Sequence, residues 1–178
     1  MGKRSNFKRR KNDQYMTWDE RAVKPLIPHL PMGAVYAEPC CGDMSLTKNL
    51  GKYGLICGYA SDIEPSAQCP ESSSVDALTL SGDDISKCDY IITNPPWTRQ
   101  ILHPMIDHFR KLKPSYLLFD ADWAHTKQAI PYMAYCSKII SIGRLKWIPN
   151  SKSSGKDNCC WYVFGDEICE TKFIGKIK

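Results

Sequence analysis

The sequence predicts an α/β fold with a mostly parallel central sheet and helices on both of its faces. Short apolar runs of strand length recur along the chain, separated by polar loops and by stretches with helical periodicity. Several runs end in an acidic or amide side chain, a pattern typical of sheets whose carboxyl edge binds a ligand. The chain has 178 residues, enough for one domain with its own core, and we expect residues 15–178 to form that domain.

The composition is that of a globular protein, with 43% hydrophobic and 24% charged residues. No apolar run reaches the roughly 18 residues that a membrane-spanning helix needs. The N-terminus is basic but lacks the apolar segment of a secretory signal. Nine cysteines include no C-x-x-C pair and no zinc-finger spacing. We therefore expect a cytoplasmic protein with reduced thiols, no metal site and no membrane contact.

The net charge of +5 is concentrated at the N-terminus. Six basic residues precede the first acid: Lys3, Arg4, Lys8, Arg9, Arg10 and Lys11. We expect residues 1–14 to be a basic flexible tail. Such tails also contact phosphates, so this one indicates a nucleic-acid partner if the chain has a site for a base as well.

The segment from Tyr15 to Leu30 predicts a short helix or helical turns, because Pro25 and Pro28 interrupt it. Thr17 is placed to cap the N-terminus of this helix, with Glu20 three residues later as its capping-box partner.

The first predicted strand, residues 34–37, leads into Glu38-Pro39-Cys40-Cys41-Gly42-Asp43 and then into a helix over residues 45–50. A strand, tight loop and helix in this order place backbone N–H groups beside a ligand. The two acids suit a cationic or hydroxyl-rich ligand better than a phosphate. Neither the glycine fingerprint of dinucleotide sites nor a P-loop is present.

The second predicted strand, residues 55–60, leads to Asp62 and Ile63. An acid about 20 residues beyond the glycine-rich turn is where such folds bind ribose hydroxyls, and Asp62 follows Gly42 by 20 residues. A third, weaker strand over residues 75–78 contains Asp76.

The fourth predicted strand, residues 89–93, ends at Asn94-Pro95-Pro96-Trp97. Two consecutive prolines cannot continue a central strand, because they donate no ladder hydrogen bond. The amide oxygen of Asn94 and the carbonyl of Pro95 can each accept one amine hydrogen, while Trp97 can stack on a ring. Asn-Pro is also a common turn initiator, but the strand before it and the tryptophan after it favour a site for a planar group with an amine.

The rest of the chain continues the alternation. We expect helices over residues 101–111 and 124–135, strands over 116–119, 138–142, 145–148 and 160–164, and a polar loop from Asn150 to Asn158. Because parallel strands end at one edge, we expect the strand-end side chains Glu38, Asp62, Asp76, Asn94 and Asp120 to share that edge.

With these residues identified, the sequence resembles the S-adenosylmethionine-dependent amino-methyltransferases of the Rossmann-like class I fold, particularly the DNA adenine-N6 methyltransferases. The likeness extends over roughly residues 15–164. It implies that the loop with Glu38, Pro39, Cys40 and Gly42 surrounds the methionine part of the cofactor. It also implies that Asp62, beside Ile63, binds the cofactor ribose, that Asp76 binds the adenine amine, and that the segment from Tyr15 to Trp18 contacts the cofactor from the other side.

In this resemblance Asn94-Pro95-Pro96-Trp97 is the catalytic motif, and Asn94 also adjoins the cofactor. An amine conjugated to an aromatic ring is a poor nucleophile, because its lone pair is delocalised. Two fixed acceptors, the Asn94 amide oxygen and the Pro95 carbonyl oxygen, would direct that lone pair at the methyl group of S-adenosylmethionine. They would also stabilise the charge that develops on the amine nitrogen. A base inside a duplex would have to be flipped into the site, where stacking on Trp97 is worth about 1–3 kcal/mol.

The chain departs from the family in having no separate region for target recognition. The loop from Asn150 to Asn158, with Lys152 and Lys156, is a candidate for DNA contact and equally a disordered surface loop. Three interpretations stay open: low sequence specificity, a partner or oligomer that supplies it, or a substrate other than duplex DNA. The small size would suit a stand-alone modifier such as one encoded by a phage.

The sequence also leaves the substrate open. The same motif serves methylation of adenine in RNA, of cytosine N4 and of glutamine N5 in protein, and the basic tail argues mildly against glutamine. A non-catalytic nucleic-acid-binding module derived from a methyltransferase is an alternative of another class. A Rossmann oxidoreductase is disfavoured by the missing glycine fingerprint.

Overall fold

All strands of the described chain belong to one eight-stranded sheet. The computed structural model describes residues 15–66, 73–150 and 153–176. The strands run over Val35–Glu38 (β1), Ile56–Asp62 (β2), Ser73–Ser74 (β3), Tyr90–Thr93 (β4), Ser115–Asp120 (β5), Cys136–Arg144 (β6), Asn158–Phe164 (β7) and Lys172–Ile174 (β8).

The strand order across the sheet is β3-β2-β1-β4-β5-β7-β6-β8. The first five strands along the chain pair in parallel, and β8 pairs in parallel with β6. Only β7, among the described strands, runs antiparallel to both of its neighbours. The prediction of a mostly parallel α/β sheet is therefore confirmed.

Helices cover both faces of the sheet, as predicted. They are Ser45–Gly51 (α1), Arg99–Leu112 (α2), Ile130–Met133 (α3) and short 3₁₀ turns at Glu20–Ala22, Ile27–His29, Ala77–Thr79, Ala121–His125 and Lys127–Ala129. Leu102, Ile106 and Phe109 of α2 recur at helical spacing and pack into the core on one face. Leu46 and Leu50 of α1 pack into the core on the other face. Of the described helices, none has the length and apolar character that crossing a membrane requires.

The predicted helix cap at Thr17 is wrong. Asp19 caps the first 3₁₀ turn, because its Oδ1 accepts a hydrogen bond from the Arg21 backbone N–H at 3.1 Å. The hydroxyl of Thr17 instead accepts a hydrogen bond from the side chain of Asn94. Thr17 Oγ1 therefore makes a tertiary hydrogen bond in place of the helix cap that the local pattern predicted.

Two predicted strands also differ from those observed. The third strand is Ser73–Ser74, while Asp76 caps a 3₁₀ turn by accepting from the Leu78 backbone N–H. Residues 145–148 are not a strand, and β6 ends at Arg144. The Lys146 N–H donates to Asp19 Oδ2 at 2.8 Å, which supplies the backbone partner that a ladder would have given. The predicted helix over residues 124–135 is a series of 3₁₀ turns followed by the single turn of α3.

Trp161 in β7 joins the sheet to the N-terminal segment. Its side chain is fully buried, and its Nε1 donates to the Ala22 carbonyl oxygen at 2.7 Å. We expect Trp161→Phe to lower the free energy of unfolding by about 2–3 kcal/mol, because it leaves that carbonyl buried without its partner and removes packing volume. Urea unfolding measures the change. Ile140→Val on the opposing strand, expected to cost about 1 kcal/mol, is the control, and an equal loss in both variants would contradict a role for the hydrogen bond.

Candidate active site

The edge formed by the carboxyl ends of the parallel strands gathers the polar side chains that the sequence singled out. Glu38, Asp62 and Asp120 are the last residues of β1, β2 and β5, and Asn94 directly follows β4. Asp76 comes two residues after β3. The expected common edge is therefore present, and adjacent strands bring these groups together.

Glu38 is a buried carboxylic acid at this edge. It is 1% exposed, and the Thr47 hydroxyl donates a hydrogen bond to its Oε2. Burial raises the pKa of Glu38 to about 8, and the nearby carboxylates of Asp43 and Asp62 act in the same direction, while the Thr47 hydrogen bond opposes them. A cation placed beside Glu38 would reverse part of this shift, so the group is suited to a positively charged ligand.

The loop after Glu38 turns at Gly42, which has a positive φ of 51°. A Cβ at this position would meet the flexible thioether of Met16, which would have to shift, so it is mainly the left-handed φ that favours glycine here. Pro39 is buried beneath the loop and Cys40 packs against the core. Burial raises the pKa of the Cys40 thiol, which therefore stays neutral.

Asp62 joins this loop to the end of β2. Its Oδ2 accepts from the Gly42 backbone N–H at 2.9 Å, and its Oδ1 accepts from the Glu64 backbone N–H at 2.9 Å. A carboxylate offers about four lone-pair positions, so each oxygen retains acceptor capacity for a further donor. Ile63 beside it is 61% exposed and offers apolar surface at the same edge.

The turn that contains Asp76 lies directly beside Asp62. The Val75 backbone N–H donates to the Asp62 carbonyl oxygen at 3.0 Å, which continues the pairing of β2 with β3. Asp76 is exposed, as is Leu78, which has 38% of its surface accessible. An acid and two apolar side chains, Ile63 and Leu78, thus line one part of the edge.

The Asn94 side chain has its orientation fixed by three contacts. Its Nδ2 donates to the Tyr15 carbonyl oxygen at 2.9 Å and to Thr17 Oγ1 at 3.0 Å. Its Oδ1 accepts from Trp97 Nε1 at 3.0 Å. Two acceptors around the nitrogen and one donor at the oxygen admit only one orientation of the amide. The oxygen therefore keeps one lone pair for a further donor.

The two prolines and Trp97 complete this corner. Pro95 is buried, and its carbonyl oxygen is an acceptor directly next to Asn94 in the chain. The half-buried Trp97 shares its single N–H between Asn94 Oδ1 and the Leu118 carbonyl oxygen, the latter at 3.2 Å. The expectation was a ring open for stacking. In the structure the indole is held against the core, where it also orients the Asn94 amide.

Trp147 is a neighbour that the sequence did not single out. Its ring lies 5.5 Å from that of Trp97 and 6.3 Å from that of Tyr15, with edge-to-face geometry in both pairs. Gly155 packs on it, since a Cβ there would lie 2.8 Å from Trp147 Cδ1. The apolar pattern of residues 145–148 predicted a strand, so Trp147 was interpreted as a strand residue and not as part of the site. An isolated tryptophan at the end of such a run was the available signal.

The predicted nucleic-acid contacts are placed only in part. The six basic residues of the N-terminal tail and Lys152 lie outside the described residues. Lys156 is exposed in the loop before β7. The Gly155 backbone N–H donates to the Leu145 carbonyl oxygen at 2.6 Å, so this loop folds back toward Trp147 and the edge.

Comparison with known proteins identifies the fold. No family model matches the chain, and no curated protein sequence matches it. A protein from Pyrococcus horikoshii, provisionally assigned as an RNA methyltransferase, superposes with a TM-score of 0.55 at 16% identity, over 84% of this chain and 82% of that one. A protein from Listeria monocytogenes, provisionally assigned as a class I S-adenosylmethionine-dependent methyltransferase, gives 0.51 at 10% identity, over 96% and 68%.

A third similar structure is the modification subunit of a provisionally assigned type I restriction enzyme from Vibrio vulnificus YJ016. It superposes with a TM-score of 0.54 at 10% identity, over 88% of this chain and 45% of that one. At these identities the likeness concerns the fold. The chain has the Rossmann-like fold of the class I methyltransferases, with its polar side chains at the carboxyl edge of the sheet.

Proposed function

We propose that this protein is an S-adenosylmethionine-dependent methyltransferase that methylates an exocyclic amine, adenine N6 in DNA. The observation that supports it most is the Asn94 amide, whose oxygen is oriented by three contacts and still has one lone pair free. The buried Pro95 places a second carbonyl acceptor directly after Asn94 in the chain. Such a pair of acceptors is suited to an NH₂ group on a planar ring.

The side chains along the edge fit the cofactor. S-adenosylmethionine supplies, when bound, an electrophilic methyl group on a positively charged sulfur. The buried Glu38 carboxyl suits the positive end of such a molecule, and Asp62 retains acceptor positions for ribose hydroxyls. Asp76, with exposed Ile63 and Leu78 nearby, suits a flat ring with an amine. The backbone of Gly42 contacts Asp62, and the backbone of Tyr15 contacts Asn94, so both lie beside these proposed cofactor-binding side chains.

The chain's own residues would act on the substrate amine by hydrogen bonding and positioning. Asn94 Oδ1 and the Pro95 carbonyl oxygen each accept one hydrogen of the NH₂ group, which draws its nitrogen toward a tetrahedral geometry. These acceptors are fixed before the reaction, so they stabilise positive charge on that nitrogen without reorganising. Trp147 provides ring surface for a base beside the amide, Trp97 orients the amide, and the two prolines keep the turn rigid.

DNA is the substrate we favour, and the modification subunit from Vibrio vulnificus supports it. RNA adenine N6 is the second candidate, and the assignment of the Pyrococcus horikoshii protein favours it. The basic N-terminal segment of the sequence suits either polyanion.

The test is to incubate the protein with tritiated S-adenosylmethionine and four acceptors in parallel: unmethylated duplex DNA, single-stranded DNA, total RNA and protein extract. We expect label in DNA that is recovered as N6-methyladenine after digestion. Label only in RNA would support the second candidate. Label only in protein would contradict a nucleic-acid substrate and indicate a protein substrate. Cofactor binding without transfer would indicate a missing partner, while binding of nucleic acid without cofactor would favour a non-catalytic module.

Asp62→Ala is expected to weaken S-adenosylmethionine binding by about 10–100-fold, because it removes acceptors for the ribose and frees the Gly42 loop. Isothermal titration calorimetry measures the dissociation constant. Asp62→Asn keeps one oxygen and separates charge from hydrogen bonding. Asp83→Ala, an exposed acid away from the edge, is the control. Unchanged affinity in Asp62→Ala would move the ribose contact to another residue.

A further inference from the structure

A cleft of about 740 Å³ lies between the β6–β7 surface and the turn after β5. We call it the basic cleft, and the residues of its lining that matter here are Arg21, Asp122, Arg144, Asn158, Phe173 and Lys176. Its volume is within the range of sites for small organic ligands, so it admits a nucleotide or two but not a duplex. None of the residues proposed above for the cofactor or the amine lines it.

Two basic side chains line the basic cleft, Arg144 and Lys176, and neither forms an ion pair within the described part of the chain. Lys176 crosses the strand at Gly143, since its Nζ lies 3.3 Å from the position that a Cβ would take there. Gly143 has a positive φ of 88° and directly precedes Arg144. None of the ion pairs among the described residues includes Arg144 or Lys176. Because like charges repel, this arrangement favours binding of an anion.

The remaining charges do not cancel these two. Arg21 is paired with Asp19, with 2.5 Å between Nη2 and Oδ2, and it still lines the basic cleft. Asp122 is the one carboxylate among the residues lining the cleft. The residues that line the cleft therefore carry a net positive charge.

The basic cleft also has a surface for a base. Phe173 in β8 is 64% exposed, opposite Ile139 in the pairing of β6 with β8. Asn158 adds an amide that can both donate and accept hydrogen bonds. Cations beside an exposed aromatic ring are the combination with which proteins bind single-stranded nucleic acid, since the cations contact phosphates and the ring stacks on a base.

The sheet places the basic cleft within reach of the candidate active site. Arg144 pairs with Asn158, and Cys159 pairs with Asp120 at the end of β5, so the cleft opens at the same edge as Asn94. Three strand spacings separate β4 from β6, or roughly 15 Å at about 4.8 Å each. A strand with its target base at Asn94 would reach the cleft within a few nucleotides.

We propose that the basic cleft binds the single-stranded segment of nucleic acid next to the target base, with phosphate on Arg144 and Lys176 and a base on Phe173. This inference rests on the proposed function, because it assumes that the amine belongs to a polynucleotide. It would give the chain a substrate-binding surface of its own.

The test is fluorescence anisotropy with the full chain and a labelled single-stranded DNA of about 10 nucleotides. The variant Arg144→Glu/Lys176→Glu is expected to bind at least about tenfold more weakly. The slope of log K against log salt should fall by about 1.4, because each lost phosphate contact contributes about 0.7 on single strands. Phe173→Ala should weaken binding about fivefold or more with its slope unchanged.

The matched control is Lys87→Glu/Lys111→Glu, which makes the same change of charge at exposed positions away from the cleft. An equal loss in this control would overturn the proposal, as would absence of binding by the wild-type chain. Displacement of the DNA by poly-glutamate, with no effect of Phe173→Ala, would reduce the cleft to a general polyanion surface and also overturn it. All variants are compared by thermal melting first.

Methyl transfer, measured in the same samples, separates the two proposals. Cleft-dependent binding without transfer of label would support the basic cleft and count against the proposed function. Transfer of label to DNA by the cleft variant at the wild-type rate and affinity would support the function and overturn the cleft.

Discussion

Asn94→Ala is expected to lower the rate of methyl transfer by about 10²–10³-fold or more, while the affinity for S-adenosylmethionine changes by no more than a few fold. The substitution removes an acceptor that is oriented before the reaction, and removing one such group from other enzymes has effects of this size. Single-turnover transfer of tritiated methyl to DNA measures the rate, and calorimetry measures cofactor affinity. Full activity of the variant would show that the catalytic assignment is wrong.

Asn94 also anchors the N-terminal segment, so its loss needs a control. Thr17→Val removes one of the two acceptors of Asn94 Nδ2 and leaves the amide oxygen in place. If Asn94 Oδ1 acts by accepting a hydrogen bond from the amine of the substrate, Thr17→Val should retain most of the activity. If anchoring is the whole effect, the two variants should be similarly impaired.

Trp97→Phe tests the hydrogen bond that orients the Asn94 amide at its oxygen. Phenylalanine keeps a ring but lacks the N–H that contacts Asn94 Oδ1. We expect kcat to fall by about tenfold, which is the loss expected for one hydrogen bond.

Glu38 should make the stability of the protein depend on pH. Its pKa is raised from 4.5 to about 8 by burial, so between these values the folded chain binds a proton that the unfolded chain does not. Stability therefore falls as pH rises through this window. At about 1.4 kcal/mol for each pKa unit, the expected change between about pH 5.5 and pH 8.5 is roughly 3 kcal/mol, as an upper estimate.

Glu38→Gln removes this titration while keeping the size of the side chain. Relative to wild type, the variant should become more stable as pH rises, by up to the same roughly 3 kcal/mol in urea unfolding. Glu167→Gln, an exposed position, should follow the wild-type curve. Parallel curves for Glu38→Gln and wild type would show that the carboxyl does not titrate in this window.

Protonation of Glu38 should also be linked to the binding of S-adenosylmethionine. A cation beside Glu38 favours the ionised carboxylate, so wild-type affinity for S-adenosylmethionine should rise with pH, by up to about tenfold per pH unit below about 8. Glu38→Gln should bind more weakly at high pH and without this slope. A slope that persists in the variant would assign the linked proton to another group.

Much of the fold could be predicted from the sequence, because strands and turns depend on patterns over a few residues. Short apolar runs located β1, β2, β4, β5 and β7 to within a few residues. The acid or amide that follows four of these runs, those of β1, β2, β4 and β5, then implied one shared edge, since parallel strands end together. The predictions failed where local pattern and packing disagree, as at Thr17 and at residues 145–148.

The candidate site was predictable as a set of residues but not as a geometry. Glu38, Gly42, Asp62, Asp76 and Asn94 could be proposed from local patterns, because strand-end acids, a loop glycine and an amide before two prolines are local signals. Three features became visible in the folded chain alone: Trp97 orients Asn94, Trp147 adjoins Trp97, and Arg144 and Lys176 share a cleft. Trp97 is only three residues from Asn94, but its indole is held by the Leu118 carbonyl oxygen and lies against Trp147. Lys176 reaches the cleft from the segment after β8, whereas Arg144 is the last residue of β6. Residues far apart in the chain meet in these places, so the packing of the sheet determines them and a local pattern does not.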